Sequence, residues 1–418
     1  MPSPFTIVLK IMDKKCFLNH IRFATPNQTR SCNDLSDDHE QCPQGNTAPD
    51  DHLSEALISL GNLRHNLACI RAAIDPRCRI LGIVKANAYG HGAGEVTAAL
   101  EQEGVRDFGV ANIHEAIELL HGHRMQEDSR ILAFAAPLPQ QIGLYLQHGV
   151  EMTVCGHETV DAAESTASAS GKILRVQVKV DSGMGRLGVA PEEAASLLDA
   201  IDRSPHLELA GIYTHFAESH KPDGFTSLQL ERFLGVTEAY ERSTGKTILK
   251  HAANSSAIVS VPGSRLDMVR PGILLYGCHP VDNDPTSMPV RPVMQFQCRV
   301  IFVKEVPAGT TVSYNRTWTA PGPRRIATIS AGYADGFHRT LSNRSAVFIN
   351  GREYGQVGTI TMDQTMVDLG DDRSVKTGDT AVLFGWEGPT AGRQAIAAGT
   401  ISYELLCSVS RRVRRIFV

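Results

Sequence analysis

The chain has 418 residues, 42% of them apolar, and its 45 acidic against 41 basic residues leave a formal net charge of −4. That length and composition describe a globular protein able to bury a sizeable core in two or three domains, and they exclude a disordered or fibrous chain. The near balance of charge removes any long-range field for nucleic acid or an anionic membrane, and no run approaches the roughly 20 apolar residues of a membrane-crossing helix.

Nine cysteines, odd in number and without a C-x-x-C pair, do not make a disulfide framework and fit a reducing compartment. At the N-terminus Phe5 to Met12 is apolar but interrupted by Lys10, and no cleavage site follows, so no signal peptide is expected and cytoplasmic residence is. Residues 1–50 lack sustained periodicity and accumulate Asn, Asp, Gln, Ser and Pro from about Pro26, which predicts a flexible extension, or a mis-assigned start, carrying no chemistry.

From Glu55 onward, short apolar runs alternate with amphipathic helical patterns. Ala56 to Leu60 comes first, followed by Ile80 to Val84, Phe108 to Val110, Ile131 to Phe134, Met152 to Cys155, Ile173 to Val180, Leu207 to Tyr213 and a segment from Thr247. These are about eight β/α units in about 230 residues, the length of a closed barrel. The prediction is an α/β fold with an N-terminal (β/α)8 barrel over residues 51–285, an open doubly wound sheet being the alternative. After Gly277, Pro280, Pro285, Pro289 and Pro292 punctuate a connection. Short runs rich in Val, Ile, Thr and Phe then recur between turn signals such as Pro307-Ala308-Gly309 and Asn350-Gly351, predicting a mostly β domain over 286–418. The basic cluster Arg411-Arg412-Val413-Arg414-Arg415 reads as the charged edge of a terminal strand.

In a barrel the reactive groups gather at the C-terminal ends of the strands. Lys85 ends the second predicted strand and opens the run Lys85-Ala86-Asn87-Ala88-Tyr89-Gly90-His91-Gly92. Burial disfavours an ammonium and leaves an amine able to attack a carbonyl. A lone lysine past a strand is more often an ordinary surface group; Tyr89 and the two glycines, suited to close backbone approach to a bound group, favour the chemical reading. Lys179 to Gly188 closes another strand and formally matches G-x-G-x-x-G. Its helix is predicted only near Pro191, and the match lies inside the barrel region, which argues against a dinucleotide site and places Arg186 as a carboxylate anchor. His215 and His251 end two further strands and read as hydrogen-bonded groups; without H-E-x-x-H or a carboxylate cluster, no metal is expected. Asn254 and Ser255 at a helix start, with Arg270-Pro271-Gly272-Ile273 after the last strand, suit a phosphate.

Together these blocks resemble the pyridoxal-phosphate-dependent alanine racemase family. Val84 to Gly92 is similar to its cofactor-attachment motif. Lys179 to Gly188, His215-Phe216-Ala217, Asn254-Ser255, Arg270 to Gly277, Ser313-Tyr314, Gly332 to Gly336, Met362-Asp363-Gln364 and Ile401 to Glu404 follow in the family's order, from about Glu55 to the C-terminus. The resemblance implies reversible racemisation of L- and D-alanine by two bases. Lys85 would hold pyridoxal 5'-phosphate as an aldimine and, once freed, act as one base. Tyr314 would act as the other, supplied by the partner subunit of a homodimer with shared active sites; a phenol of ordinary pKa, about 10, needs nearby positive charge for that task. Arg270 would face the pyridine nitrogen and, holding its own proton, leave the ring a weak electron sink. Tyr89, Ser255, Tyr403 and the N–H groups of Gly272 and Ile273 would hold the phosphate, with His215 and Asn254 also in the cofactor site.

Arg186 and the N–H of Met362 would hold the substrate carboxylate, Tyr333 and Tyr403 would narrow the entrance, and Lys179 would be carbamylated to orient Arg186. The chain departs from the family at Asn87 and Thr359, where Asp and Arg are more usual, which touches specificity and entrance electrostatics rather than reaction type. A racemase of serine or of broader range fits the same motifs. An amino-acid decarboxylase would place an acid against the ring nitrogen, a single-barrel cofactor carrier would stop near residue 285, and a nicotinamide oxidoreductase would leave Lys85 unexplained.

Overall fold

The structure, a computed structural model, describes residues 52–220, 223–280 and 288–418. The extension expected at 1–50, and Pro285 of the expected connection, lie outside the described residues. The first strand, β1 (Ser54–Ile58), stands apart from the eight that follow. Those eight are β2 (Arg79–Ile83), β3 (Asp107–Val110), β4 (Arg130–Ala133), β5 (Glu151–Val154), β6 (Leu174–Lys179), β7 (Leu207–Tyr213), β8 (Lys250–His251) and β9 (Met268–Val269). They pair in parallel in chain order, and β9 returns to β2 with Ile80 opposite Val269. Between β8 and β9 the ring closes at Asn254 and Arg270, where the Arg270 N–H donates to Ala253 O at 2.9 Å.

Strands buried on both faces need apolar residues outward, against the helices, and a packed interior. In β6, Val176 and Val178 are fully buried, while the alternate residues Gln177 and Lys179 are buried polar groups. The helix Pro191–Asp202 begins with Pro at its first turn, at the expected start. Among the described residues no helix is long and apolar enough to cross a membrane, and no disulfide joins the described cysteines.

The second sheet is built on β10 (Met294–Val306). It continues through β11 (Thr311–Val312) and β12 (Trp318–Thr319), a hairpin of its own, then β13 (Arg324–Ile329), β14 (Ala346–Ile349), β15 (Arg352–Gln356), β16 (Thr365–Gly370), β17 (Thr380–Phe384) and β18 (Arg414–Phe417). The order β13-β16-β15-β14-β17-β10 turns back on itself because β10 also pairs with β13. A register shift between Val300 and Phe302 marks the bulge in that β10–β13 pairing.

The sequence reading of the barrel needs one correction. The run Ala56 to Leu60, expected to open the barrel, belongs to the other sheet: β1 lies antiparallel to β10, with Ala56 opposite Phe296, and parallel to β18, with Leu57 opposite Ile416. The eighth barrel strand is instead the two-residue β9, too short to register as a periodic segment. A short apolar run announces a strand but not its partner. Lys85 therefore follows the first barrel strand, not the second.

Candidate active site

Beyond β2 the chain does not enter an ordinary helix. Ala86, Asn87, Ala88 and Tyr89 have φ of 53°, 54°, 54° and 53°, a left-handed turn ended by Gly90 at φ 82°. Such backbone costs an L-residue about 1–2 kcal/mol, so the turn depends on bonds from outside it. Glu115 Oε1 accepts from the Ala86 N–H at 3.0 Å, and Asn87 Oδ1 accepts from the Ala93 N–H at 2.8 Å. His91 Nδ1 lies 2.9 Å from both Ala88 O and Tyr89 O, which only accept, so it carries the proton. Burial pushes the His91 pKa down to about 4, keeping the ring neutral. Arg415 Nε donates to Gly90 O at 3.0 Å. Lys85 itself is exposed, just past the end of β2. Desolvation there holds its amine below the usual lysine range; Arg186 and Arg270 add to the effect and Glu115 and Cys407 oppose it.

Arg270, at the end of β9, is buried to 4% exposure. Its Nη1 donates to His251 O at 2.9 Å and His251 Nδ1 at 3.0 Å; its Nη2 donates to Thr214 O at 2.7 Å and Ala252 O at 2.8 Å, with His215 Nδ1 at 3.4 Å. The tautomer of His251 follows from its neighbours. Gln177 Nε2 donates to Glu151 at 2.5 Å, so Gln177 Oε1 accepts from His251 Nε2 at 2.7 Å and leaves Nδ1 as an acceptor for the guanidinium. Burial, then Arg270, depress the pKa of His251 well below its ordinary value, and the same causes keep His215 neutral. Full burial lowers Arg270 itself to about 10, still charged at neutral pH.

Lys179, ending β6, is 4% exposed and its Nζ has no hydrogen-bond partner. It lies 5.3 Å from the ring centre of Tyr213, whose ring stacks on His251 at 4.8 Å. Desolvation, then Arg270, lower its pKa to about 8. The loop carrying Arg186 is shaped by Asp181 Oδ1, which accepts from Gly183 and Gly185 N–H at 3.0 Å each, and the glycines that formally match G-x-G-x-x-G open no helix there, as expected.

At the other side of the mouth Asn254 caps the helix Ser255–Ser260, accepting from the Ala257 N–H at 2.9 Å. Ser255 Oγ accepts from the Gly272 N–H at 2.8 Å, next to Ile273. A side chain at 272 would fill this cradle: a Cβ there would stand 2.5 Å from Tyr89 Oη. Tyr89 is fixed in turn by the rings of Tyr276 at 4.9 Å and Tyr403 at 5.9 Å. A cradle of this kind, a desolvated amine and a buried cation fit a planar carbonyl compound with an anionic tail.

Tyr314, Tyr333 and Met362 form a second group on the β domain. Tyr314 sits at the tip of the β11–β12 hairpin, 69% exposed, and its carbonyl accepts from Thr359 Oγ1 at 2.9 Å while Ser313 Oγ donates to Thr359 O at 2.5 Å. The Tyr333 N–H donates to Thr361 O and the Ala334 N–H to Met362 O, each at 3.0 Å. Arg412 ties both loops together, with Asp335 at 2.7 and 2.8 Å and Asp363 at 2.9 Å. Arg186, Glu115, Cys407 and Arg270 act electrostatically on Lys85, which in turn acts on His215.

Sequence reasoning missed Glu115, Gln177, Tyr276 and Arg412. Asn112 caps the helix Ile113–Gly122, and no local pattern in the sequence marks the reach of the Glu115 carboxylate to a neighbouring loop. Arg412 is in the sequence only one member of the basic cluster at the edge of a terminal strand.

The fold and this site define a class: a two-domain α/β-barrel enzyme presenting a desolvated amine, a buried guanidinium and a cradle too tight for a side chain at residue 272, at the C-terminal face. The family description "Alanine racemase, N-terminal domain" matches residues 58–280, and "Alanine racemase, C-terminal domain" matches 293–417. The alanine racemase of Chlorobaculum tepidum is 74% identical over 385 residues, covering 92% of this chain and all of that protein. Among solved structures, alanine racemase from Streptomyces coelicolor A3(2) superposes with a TM-score of 0.84 at 34% identity, covering 87% of this chain and 98% of its own. That of Clostridium difficile 630 gives 0.83 at 36%, covering 88% and 96%. The chain belongs to the alanine racemase family.

Proposed function

We propose that this chain interconverts L- and D-alanine with pyridoxal 5'-phosphate held on Lys85, in a homodimer with shared active sites. The observation that carries the reading is Arg270, a guanidinium whose Nη groups are occupied by backbone carbonyls and a neutral His251. The cofactor supplies, when bound, a carbonyl carbon for amine attachment and a ring that takes up the electron pair left at the α-carbon. Arg270 does not release a proton to the ring nitrogen, so the sink stays weak and return of the proton is favoured over decarboxylation or side chemistry.

Lys85 is the attachment amine and one base, its depressed pKa raising the neutral fraction that attacks or accepts a proton. Tyr89, Ser255, Tyr403 and the N–H groups of Gly272 and Ile273 would hold the phosphate, with His215 and Asn254 also in the cofactor site. Arg186 and the N–H of Met362 would hold the substrate carboxylate, and Tyr333 would narrow the entrance to a small side chain. Tyr314 of the second copy would take or return the proton on the opposite face. The 69% exposure of Tyr314 and 53% of Met362 in a single chain support a site completed by another copy. In this reading residues 51–285 carry the cofactor and 286–418 complete the partner's site. The partnerless Lys179 amine would attack carbon dioxide, forming an N–C bond and releasing one proton to solvent, and so place an anion beside Arg186. The described cysteines, none of them in a disulfide, support residence in the cytoplasm, where the product would feed D-alanine biosynthesis.

Incubation with L-alanine in heavy water tests the reading: D-alanine carrying deuterium at the α-carbon is expected, and retained chirality without deuterium would refute it. Borohydride should fix the cofactor on Lys85. Failure to do so removes Lys85 as the attachment point.

A further inference from the structure

We propose that Glu115 is a positioning residue for this reaction: its carboxylate clamps the ends of two adjacent barrel strands and thereby aims the Lys85 amine. The inference rests on the assignment of Lys85 and Tyr314 above. Glu115 lies in the first turn of the helix Ile113–Gly122, but that turn is already capped by Asn112, which accepts from the N–H groups of His114 at 2.9 Å and Glu115 at 3.1 Å. The Glu115 carboxylate turns elsewhere. Oε2 accepts from the Ala111 N–H at 2.8 Å, just past β3, and Oε1 reaches across to the Ala86 N–H at 3.0 Å, just past β2.

Ala86 is the first of the four left-handed residues, so the bond falls where the strained backbone begins, one peptide from Lys85. Of the other bonds that hold the turn, Asn87 Oδ1 reaches out from its second residue to the Ala93 N–H, while those from His91 and Arg415 fall at its far end. Ala86 O is already engaged by the Gly90 N–H at 3.0 Å, so with Glu115 gone the Ala86 peptide would lose its tie to the end of β3, leaving the near end to the Ala88 N–H bond to Val84 O at 2.8 Å. Charge points the same way. Of the groups that act on Lys85, Arg186 and Arg270 disfavour its ammonium while Glu115 and Cys407 favour it. Burial raises the Cys407 thiol above its ordinary value and so keeps it neutral, leaving Glu115 as the anion among these groups.

The test separates the two faces of the reaction. At equilibrium the enantiomers are equal in free energy, so overall racemisation efficiencies in the two directions are tied together and hide a one-sided defect. Early α-deuterium wash-in from L- and from D-alanine on the holoenzyme does not hide it, and Tyr314→Phe identifies the enantiomer whose proton Lys85 removes. Glu115→Gln keeps shape and one acceptor but loses the charge. It should slow wash-in from the Lys85-dependent enantiomer at least about tenfold more than from the other, within the range a positioned base supplies. The acid limb of that enantiomer's pH profile should move down by up to about one pH unit. Glu115→Ala should further speed amide exchange across residues 84–92. If Glu115→Ala does not fold, Glu115→Gln and Glu115→Asp carry the wash-in test. Equal slowing of both enantiomers, or no slowing in any variant, overturns the proposal. A Tyr314→Phe variant without asymmetry, or failed borohydride trapping on Lys85, would instead refute the assignment on which it rests.

Discussion

Replacing Lys179 by Met should stabilise the protein at neutral pH in buffer free of carbon dioxide. The side chain is 4% exposed, its Nζ has no hydrogen-bond partner, and burial followed by Arg270 lowers its pKa from 10.5 to about 8. In the unfolded chain the amine returns to its ordinary value, so between about pH 8 and 10.5 the unfolded state binds more protons and stability rises with pH. Below pH 8 the folded state carries the full cost of a buried ammonium. At about 1.4 kcal/mol per pH unit, the gap between 10.5 and about 8 corresponds to roughly 3 kcal/mol. Methionine keeps the stem and removes the charge. Denaturant unfolding of both proteins at one protomer concentration, from neutral pH to pH 10, should show the variant's advantage near 3 kcal/mol at the start and shrinking through that window. A variant less stable than the parent at neutral pH, or an advantage flat across pH, would refute the reasoning. Bicarbonate should stabilise the parent and leave the variant unchanged if Lys179 takes up carbon dioxide as proposed.

Gly272→Ala should weaken retention of the cofactor and cost about 1–3 kcal/mol of stability, because the added Cβ stands 2.5 Å from Tyr89 Oη and Tyr89 is held between two further rings. Dialysis against phosphate buffer and unfolding report the two effects, and unchanged retention would contradict the cradle. Arg412→Met should raise the KM for alanine with little change in kcat, since Arg412 ties the Tyr333 loop to the Met362 loop without touching the reacting atoms. An equal loss in kcat would contradict it.

Much of this protein was legible where the signal is local. The β/α alternation repeats within each unit of chain, so the barrel and the following β domain emerge from periodicity and turn residues. Lys85 was visible because an apolar strand delivers it directly into a tyrosine- and glycine-bearing loop. The start of the helix at Pro191 and the cap at Asn254 are likewise properties of a few consecutive residues. Other features have no local cause. Ser54 to Ile58 looks like any apolar strand, and only its antiparallel match to Met294 through Cys298 removes it from the barrel. The left-handed turn at Ala86 to Tyr89 is not what Ala, Asn, Ala and Tyr adopt by themselves; Glu115 and Arg415 hold it from elsewhere in the chain, with His91 just beyond its end. The protonation of His251, and so the seat of Arg270, depends on Glu151 and Gln177 from two other strands. The sequence by itself determined the architecture and the chemical type of the site, because both are written in short-range patterns. Only the tertiary structure decided how the amine and the guanidinium are held, because desolvation and hydrogen bonding between distant segments exist only once the ring has closed.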